Sequence, residues 1–192
     1  MEIKRYLEKL AAKSPVPGGG SAAALTGAIG MSLMSMAAGY TAKKVFAARR
    51  AGLSEIIGFA ASSRRRLLEL MAEDEKAYLR LSGALRKKGK KDTAAIAVFY
   101  KKAAAPPLEM CRVLNDGLKR CARLSAFCSK ALASDLAEAA ILMEAGFASA
   151  RLNAEINLDG ACDKAYAGRM RRWLDKKGAL ARKIKEKVKR GY

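Results

Sequence analysis

The stretch from Ser14 to Ala42 carries no charged residue, in a chain whose formal net charge is +20. It opens on SPVPGGGS and runs straight into AAALTGAIGMSLMSMAAGY. Two prolines and three glycines make a tight loop with exposed backbone. Ser21 then stands where a helix N-cap belongs, and nothing after it breaks a helix for many residues. Such a loop presents unpaired N–H groups at the positive end of a helix dipole. That suits an anionic or carbonyl-bearing ligand, and it suits equally a rigid turn between two helices. The lysine and spacing of a phosphate-binding P-loop are absent. The uncharged stretch is long enough to raise a membrane span. Its loop-like start and its sparse large aliphatics (Leu25, Ile29 and Leu33, helped by three methionines) argue against one. Small residues fill the rest, as expected of a central helix in a soluble bundle. The closest helix approaches are expected at Gly27, Gly30 and Gly39, and no membrane partner is expected.

Helical signals continue along the chain. A first helix is expected over Glu2–Lys13, stopped by Ser14-Pro15, and a second over about Ser21–Ala48. A third runs from about Leu53 to Lys87 and ends near Gly89. Asp92 can cap a fourth, which Pro106-Pro107 interrupts or kinks before it resumes over Leu108 to about Lys119. An irregular stretch near Ala126–Ala133 precedes a helix from Ser134-Asp135 to about Leu158. Asp159-Gly160 reads as a turn, and a basic helix follows, 161–190. Alanine, leucine, lysine and arginine dominate, β-branched residues are few, and no strand-like alternation or repeat occurs. The expected fold is all-α: one domain over residues 1–192, an up-and-down helical bundle.

Several function classes fall away on composition. The chain has four cysteines and no histidine, and no cysteine pair has C-x-x-C spacing. Zinc sites of the usual Cys/His kind are therefore disfavoured, and hydrolysis through a histidine base is excluded. Unpatterned cysteines without a signal-peptide pattern point to a reducing cytoplasm. Between Lys164 and Arg190 twelve Lys/Arg face only Asp175 and Glu186. Nucleic acid, anionic lipid and polyanionic small molecules are candidate partners for that charge, and a solvated basic face is the plainer reading.

Chemistry is best sought on the third helix. At alternating steps of four and three, Leu53, Ile57, Ala60, Arg64, Leu67, Met71, Asp74, Tyr78, Leu81 and Leu85 share one face. Only Arg64 and Asp74 are charged. A carboxylate in an apolar seam must be paired, or its pKa rises towards the range of a general acid or base at neutral pH. A salt bridge to Arg64 and a functional carboxylate are both open. Glu73 and Glu75, at 100° per residue, are expected to turn away. Asn153 and Asn157, four apart, can read a heterocycle's donors and acceptors or hydrogen-bond helix ends. Asp135, with Glu138 three residues on, fits an N-cap with its capping-box partner.

Four blocks together resemble the formiminotetrahydrofolate cyclodeaminase / methenyltetrahydrofolate cyclohydrolase family. SPVPGGGSAAALTGAIGMSLMSM resembles its glycine signature. MAEDEKAYLRL, with Asp74, Ala77 and Tyr78, resembles its Asp-x-x-Ala-Tyr/Phe block. APPLE, Ala105–Glu109, resembles its Ala-x-Pro-Leu segment, and Ser134–Asn157 the block that begins Ser-Asp and ends Asn-x-x-Ile-Asn. Order and spacing hold from about Leu10 to Leu158. One departure is visible: Cys128-Ser129 stand where the family often has Gly-Asn.

The resemblance implies an all-helical homodimer that acts on a tetrahydrofolate derivative, free or polyglutamylated, with Asp74 as the catalytic acidic residue. No cofactor beyond the tetrahydrofolate substrate and no metal is expected. Pro17, Gly18, Gly19, Gly20 and Ser21 would form the cradle; Tyr78, Asp135, Asn153 and Asn157 would hold or orient the ligand. Two reactions fit: hydrolysis of 5,10-methenyltetrahydrofolate, or cyclisation of 5-formiminotetrahydrofolate with loss of ammonia. The absence of a fused transferase domain in this sequence leans towards the first. The competing readings are a basic helical nucleic-acid-binding protein and an inactive scaffold member of the same family. Few aromatics and no recognised DNA-binding motif weigh against the nucleic-acid reading.

Overall fold

The structure is a computed structural model that describes residues 2–43, 47–88 and 93–191. Among these residues the secondary structure is entirely helical: α1 (Ile3–Ala11), α2 (Gly19–Ala42), α3 (Ala47–Lys88), α4 (Thr93–Ser125), a one-turn 3-10 helix (Lys130–Leu132), α5 (Ala133–Gly160) and α6 (Lys164–Lys189). Consecutive helices run antiparallel from α2 to α6. Arg120 and Arg123 of α4 reach Glu55 of α3, while Cys111 and Cys121 of α4 meet the carbonyls of Phe147 and Leu136 on α5. The expected up-and-down bundle is what forms.

α2 lies at the centre, packed between α3 and α5. Met31 and Met34 are fully buried with Leu53, Leu67, Leu114 and Phe147; each such side chain contributes roughly 1.5–3 kcal/mol by leaving water. By length and apolarity α2 could cross a membrane, yet 50% of its most apolar window is buried inside the bundle. Small residues set how closely its neighbours approach. A Cβ on Gly30 would lie 2.9 Å from the Ala139 carbonyl oxygen of α5, and one on Gly146 3.0 Å from that of Ala23. Gly27 is equally closed, by Leu114. Gly39 is not: a Cβ there meets nothing within 4 Å, which corrects its expected role.

Several boundaries also differ. Pro106 and Pro107 sit inside a continuous α4. Pro107 has no N–H to give the carbonyl four residues back, that of Ala103. The Asn157 side chain of α5 donates to that carbonyl instead, Nδ2 to O 3.2 Å, so tertiary structure repairs what sequence reads as a break. α5 carries through Asp159-Gly160, and the chain turns only at Ala161-Cys162, where Cys162 takes φ 52°. Asp163 then caps α6 by accepting from the Tyr166 N–H at 2.9 Å. The expected cap Asp92 lies outside the described residues.

α6 is a full member of the bundle, burying Ala167, Leu174, Gly178, Ala181, Ile184 and Val188. Some of its charge is spent locally, as in Lys185 with Glu144 and Arg171 with Asp159. α1 is different. It is tied to α2 through a buried hydrogen bond between the Tyr6 and Ser21 hydroxyls, 2.7 Å apart.

Candidate active site

α2 begins at Gly19, with Gly18 in an extended conformation at the N-cap and no side-chain cap. The first-turn N–H groups of α2 therefore have no side-chain acceptor. Ser21 is not the cap: it is fully buried and bonded to Tyr6, so it braces the loop from behind and does not face a ligand. None of these glycines takes a positive φ, a Cβ on Gly18 would meet nothing within 4 Å, and only Gly20 is required for space. A Cβ on Gly20 would run into the Asp74 carboxylate, 2.6 Å from its Cγ, and one on Gly19 would touch the Asn153 amide at 3.4 Å. Their bare backbone lets α2 start directly against α3 and α5.

A cleft of about 210 Å³ forms there, lined by Pro15, Val16, Gly18, Gly19, Gly20, Asp74, Glu75, Tyr78, Ala103, Asn153 and Asn157. Three elements far apart in sequence meet: the glycine loop, the middle of α3 and the end of α5. The seam on α3 is confirmed as the inward face, with Leu53, Ala60, Leu67 and Leu81 buried. Tyr78, 46% exposed, stands at the mouth of the cleft.

Asp74 makes no hydrogen bond or ion pair among the described residues; the salt bridge to Arg64 does not form. Burial raises its pKa from 3.8 to about 6, and the neighbouring charge of Glu75 pushes the same way. Such a group exchanges protons readily near neutral pH. Glu73 turns away, as expected, and pairs with Arg66 at 2.6 Å. Glu75 does not; it is half-buried and lines the cleft beside Asp74. The cleft thus holds two carboxylates and no cationic side chain, in a protein of charge +20. That electrostatic sign favours a ligand with a positive centre.

The asparagines are already partly engaged. Asn153 Nδ2 donates to the Ser149 carbonyl at 2.9 Å. Asn157 uses both its N–H groups, on Ala103 at 3.2 Å and on the Asn153 carbonyl at 2.9 Å. Each amide oxygen remains an open acceptor on the cleft wall, oriented by bonds to backbone.

Besides Ser21, two expected site residues lie elsewhere. Pro17 lines the adjoining cleft beneath α1. Asp135 sits in the first turn of α5, whose N-cap is Leu132 without a side-chain bond, so the capping box does not form. α5 runs antiparallel to α2, and at 1.5 Å per residue Asp135 is about 27 Å along the helix from Asn153. It lies near Cys128, whose thiol is raised chiefly by burial and slightly by the charge of Asp135. Sequence reasoning missed Pro15, Val16, Glu75 and Ala103 as lining residues; only the Pro107 gap hinted at Ala103. No group of three or more potential metal ligands occurs among the described residues. Burial pushes the Cys111 and Cys121 thiols to about 12, too high for nucleophiles.

The family model for formiminotransferase-cyclodeaminase matches residues 2–176. The chain belongs to this family. A methenyltetrahydrofolate cyclohydrolase of Methylorubrum extorquens is 33% identical over 97% of this chain and 95% of its own length. The formimidoyltransferase-cyclodeaminase of Rattus norvegicus is 26% identical over 88% of this chain, which covers 32% of that protein. The crystal structure of formiminotetrahydrofolate cyclodeaminase from Thermotoga maritima superposes with a TM-score of 0.92 at 26% identity, covering 100% of this chain and 95% of that one. The helices that carry Asp74 and the glycine loop thus belong to a shared family fold.

Proposed function

We propose that this family member is a folate one-carbon enzyme that acts at the 5,10-methenyl bridge, hydrolysing methenyltetrahydrofolate to 10-formyltetrahydrofolate. The observation that carries the reading is the unpaired, half-buried Asp74 carboxylate, with Glu75 beside it and no cation in the cleft. The methenyl bridge is an amidinium-like cation. A carboxylate-lined, partly dry cleft favours it and disfavours neutral or anionic groups in the same place.

The steps follow from that placement. Water adds to the bridge carbon and gives a proton to Asp74. The tetrahedral adduct holds carbon between two nitrogens and a hydroxyl. As the bond to the 5-nitrogen breaks, that nitrogen takes the proton back from Asp74, and the hydroxyl loses its own as the formyl carbonyl forms. One proton is released overall. Asp74 acts as base and then acid, a task suited to a pKa of about 6. The open oxygens of Asn153 and Asn157 accept from ring N–H groups, Tyr78 covers the mouth, and the loop backbone at Gly18–Gly20 walls the site. No cofactor beyond the substrate takes part in this scheme.

The cyclodeaminase reaction passes through a related tetrahedral carbon, and the TM-score of 0.92 to a cyclodeaminase keeps it as the second reading. The protein is proposed to act as a homodimer. Ile29, Met36 and Tyr40 of α2 and Ile141, Leu152 and Ile156 of α5 are exposed large apolar residues on two packed helices, a face suited to a second copy. Two assays decide the reaction. Loss of methenyltetrahydrofolate absorbance on mixing identifies the hydrolase, and its appearance from the formimino compound with ammonia release identifies the cyclodeaminase. Inactivity in both contradicts the proposal.

A further inference from the structure

The Asp74 cleft is too small for a whole folate. Its volume is about 210 Å³, whereas sites for drug-sized ligands run to about 300–1,000 Å³. It has room for a fused ring system, and the remainder of the ligand must leave it. A larger cleft of about 830 Å³ adjoins it and shares Val16 and Glu75 as common wall. Its lining mixes apolar and charged side chains. Val16, Pro17 and Met71 give it an apolar part. α1 contributes Arg5 and Lys9, one turn apart on one helix face. Neither has an ion pair among the described residues. The carboxylates of Glu2 and Glu75 also line this cleft. The buried bond from Tyr6 to Ser21 holds this face of α1 in fixed relation to the glycine loop.

Resting on the function proposed above, we propose that the α1 cleft binds the substrate's p-aminobenzoyl-glutamate arm, with the aryl ring on Val16, Pro17 and Met71 and the glutamyl carboxylates on Arg5 and Lys9. The site is then bipolar. Carboxylates face the cationic bridge, and cations face the anionic tail, which sets the substrate's direction in the site. Substrates with more glutamyl residues gain from the same pair of charges, through exposed and therefore salt-sensitive contacts.

The test uses p-aminobenzoyl-triglutamate as probe, with binding measured by calorimetry at low salt. The Arg5→Ala/Lys9→Ala double variant should bind about ten-fold more weakly than the unmodified protein and lose most of the salt dependence. Alanine favours the helix, so α1 should persist. Lys4→Ala/Lys13→Ala removes the same charge from positions outside the cleft and should bind normally. In turnover, the Arg5/Lys9 double should raise KM and leave kcat near that of the unmodified protein. Equal weakening in both doubles, no weakening in the first, or no binding by the unmodified protein overturns the subsite. The probe carries no one-carbon bridge. A protein that binds it through Arg5 and Lys9 but fails both turnover assays therefore refutes the reaction and not the subsite.

Discussion

Replacing Asp74 by asparagine should stabilise the fold while it destroys activity, and the size of the gain can be worked out. Asp74 has no partner among the described residues, and its pKa moves from 3.8 to about 6. The folded state therefore holds the proton more tightly than the unfolded chain. Stability is highest below the unfolded value, falls as pH rises between 3.8 and about 6, and stays low above it. At 1.36 kcal/mol per pH unit the ionised group costs about 3 kcal/mol, or about 2–3 kcal/mol once contact with water at the cleft is allowed for. The asparagine side chain has no charge to bury, and the substitution breaks no hydrogen bond. At pH 8 the variant should melt about 5–10 °C higher, taking roughly 2–4 °C per kcal/mol for a chain of this size. At pH 4 the two proteins should melt together. Thermal unfolding of both across pH 4–8 reads this directly. A variant that is less stable at pH 8, or stabilised equally at every pH, would refute the presence of an unpaired buried charge at this position.

Glu75→Gln should move the acid limb of kcat/KM to lower pH, because the Glu75 charge raises the Asp74 pKa; an unmoved limb shows that the two carboxylates do not communicate. Gly20→Ala should fold, since the group its Cβ meets is a side chain. It should lose about 10²-fold in kcat through displacement of Asp74, and near-normal kcat would contradict the close approach. Leu152→Asp, at a residue 63% exposed on the apolar face, should leave the helical circular-dichroism signal intact and convert a dimer to monomer by light scattering. Unchanged mass would place the interface elsewhere.

The bundle and the inward seam of α3 follow from local pattern, because helix periodicity and small-residue packing are written into short windows; the meeting of the glycine loop with that seam is implied only by the family resemblance. What pattern does not carry is how side chains finish each other's structure. Ser21 satisfies every rule for a cap, yet Tyr6 claims its hydroxyl. Pro107 reads as a break until Asn157, fifty residues on, supplies the missing donor. Ideal helix geometry turns Glu75 away from the seam, but the loop at Val16 folds over α3 far enough to enclose it. Asp135 shares a block with Asn153 and Asn157 in sequence, and the length of α5 carries it to the other end of the bundle.

If the Asp74 carboxylate moves the proton at the one-carbon bridge, its ionisation must govern the rate. The pH–rate profile of kcat/KM on methenyltetrahydrofolate, followed by absorbance with the unmodified protein and with Asp74→Asn, tests this most directly. The rate should climb about ten-fold per pH unit up to about pH 6 and then level, with turnover lost in the variant and ligand binding retained. Near-normal turnover by Asp74→Asn, or a profile flat through pH 6, would contradict that role for Asp74.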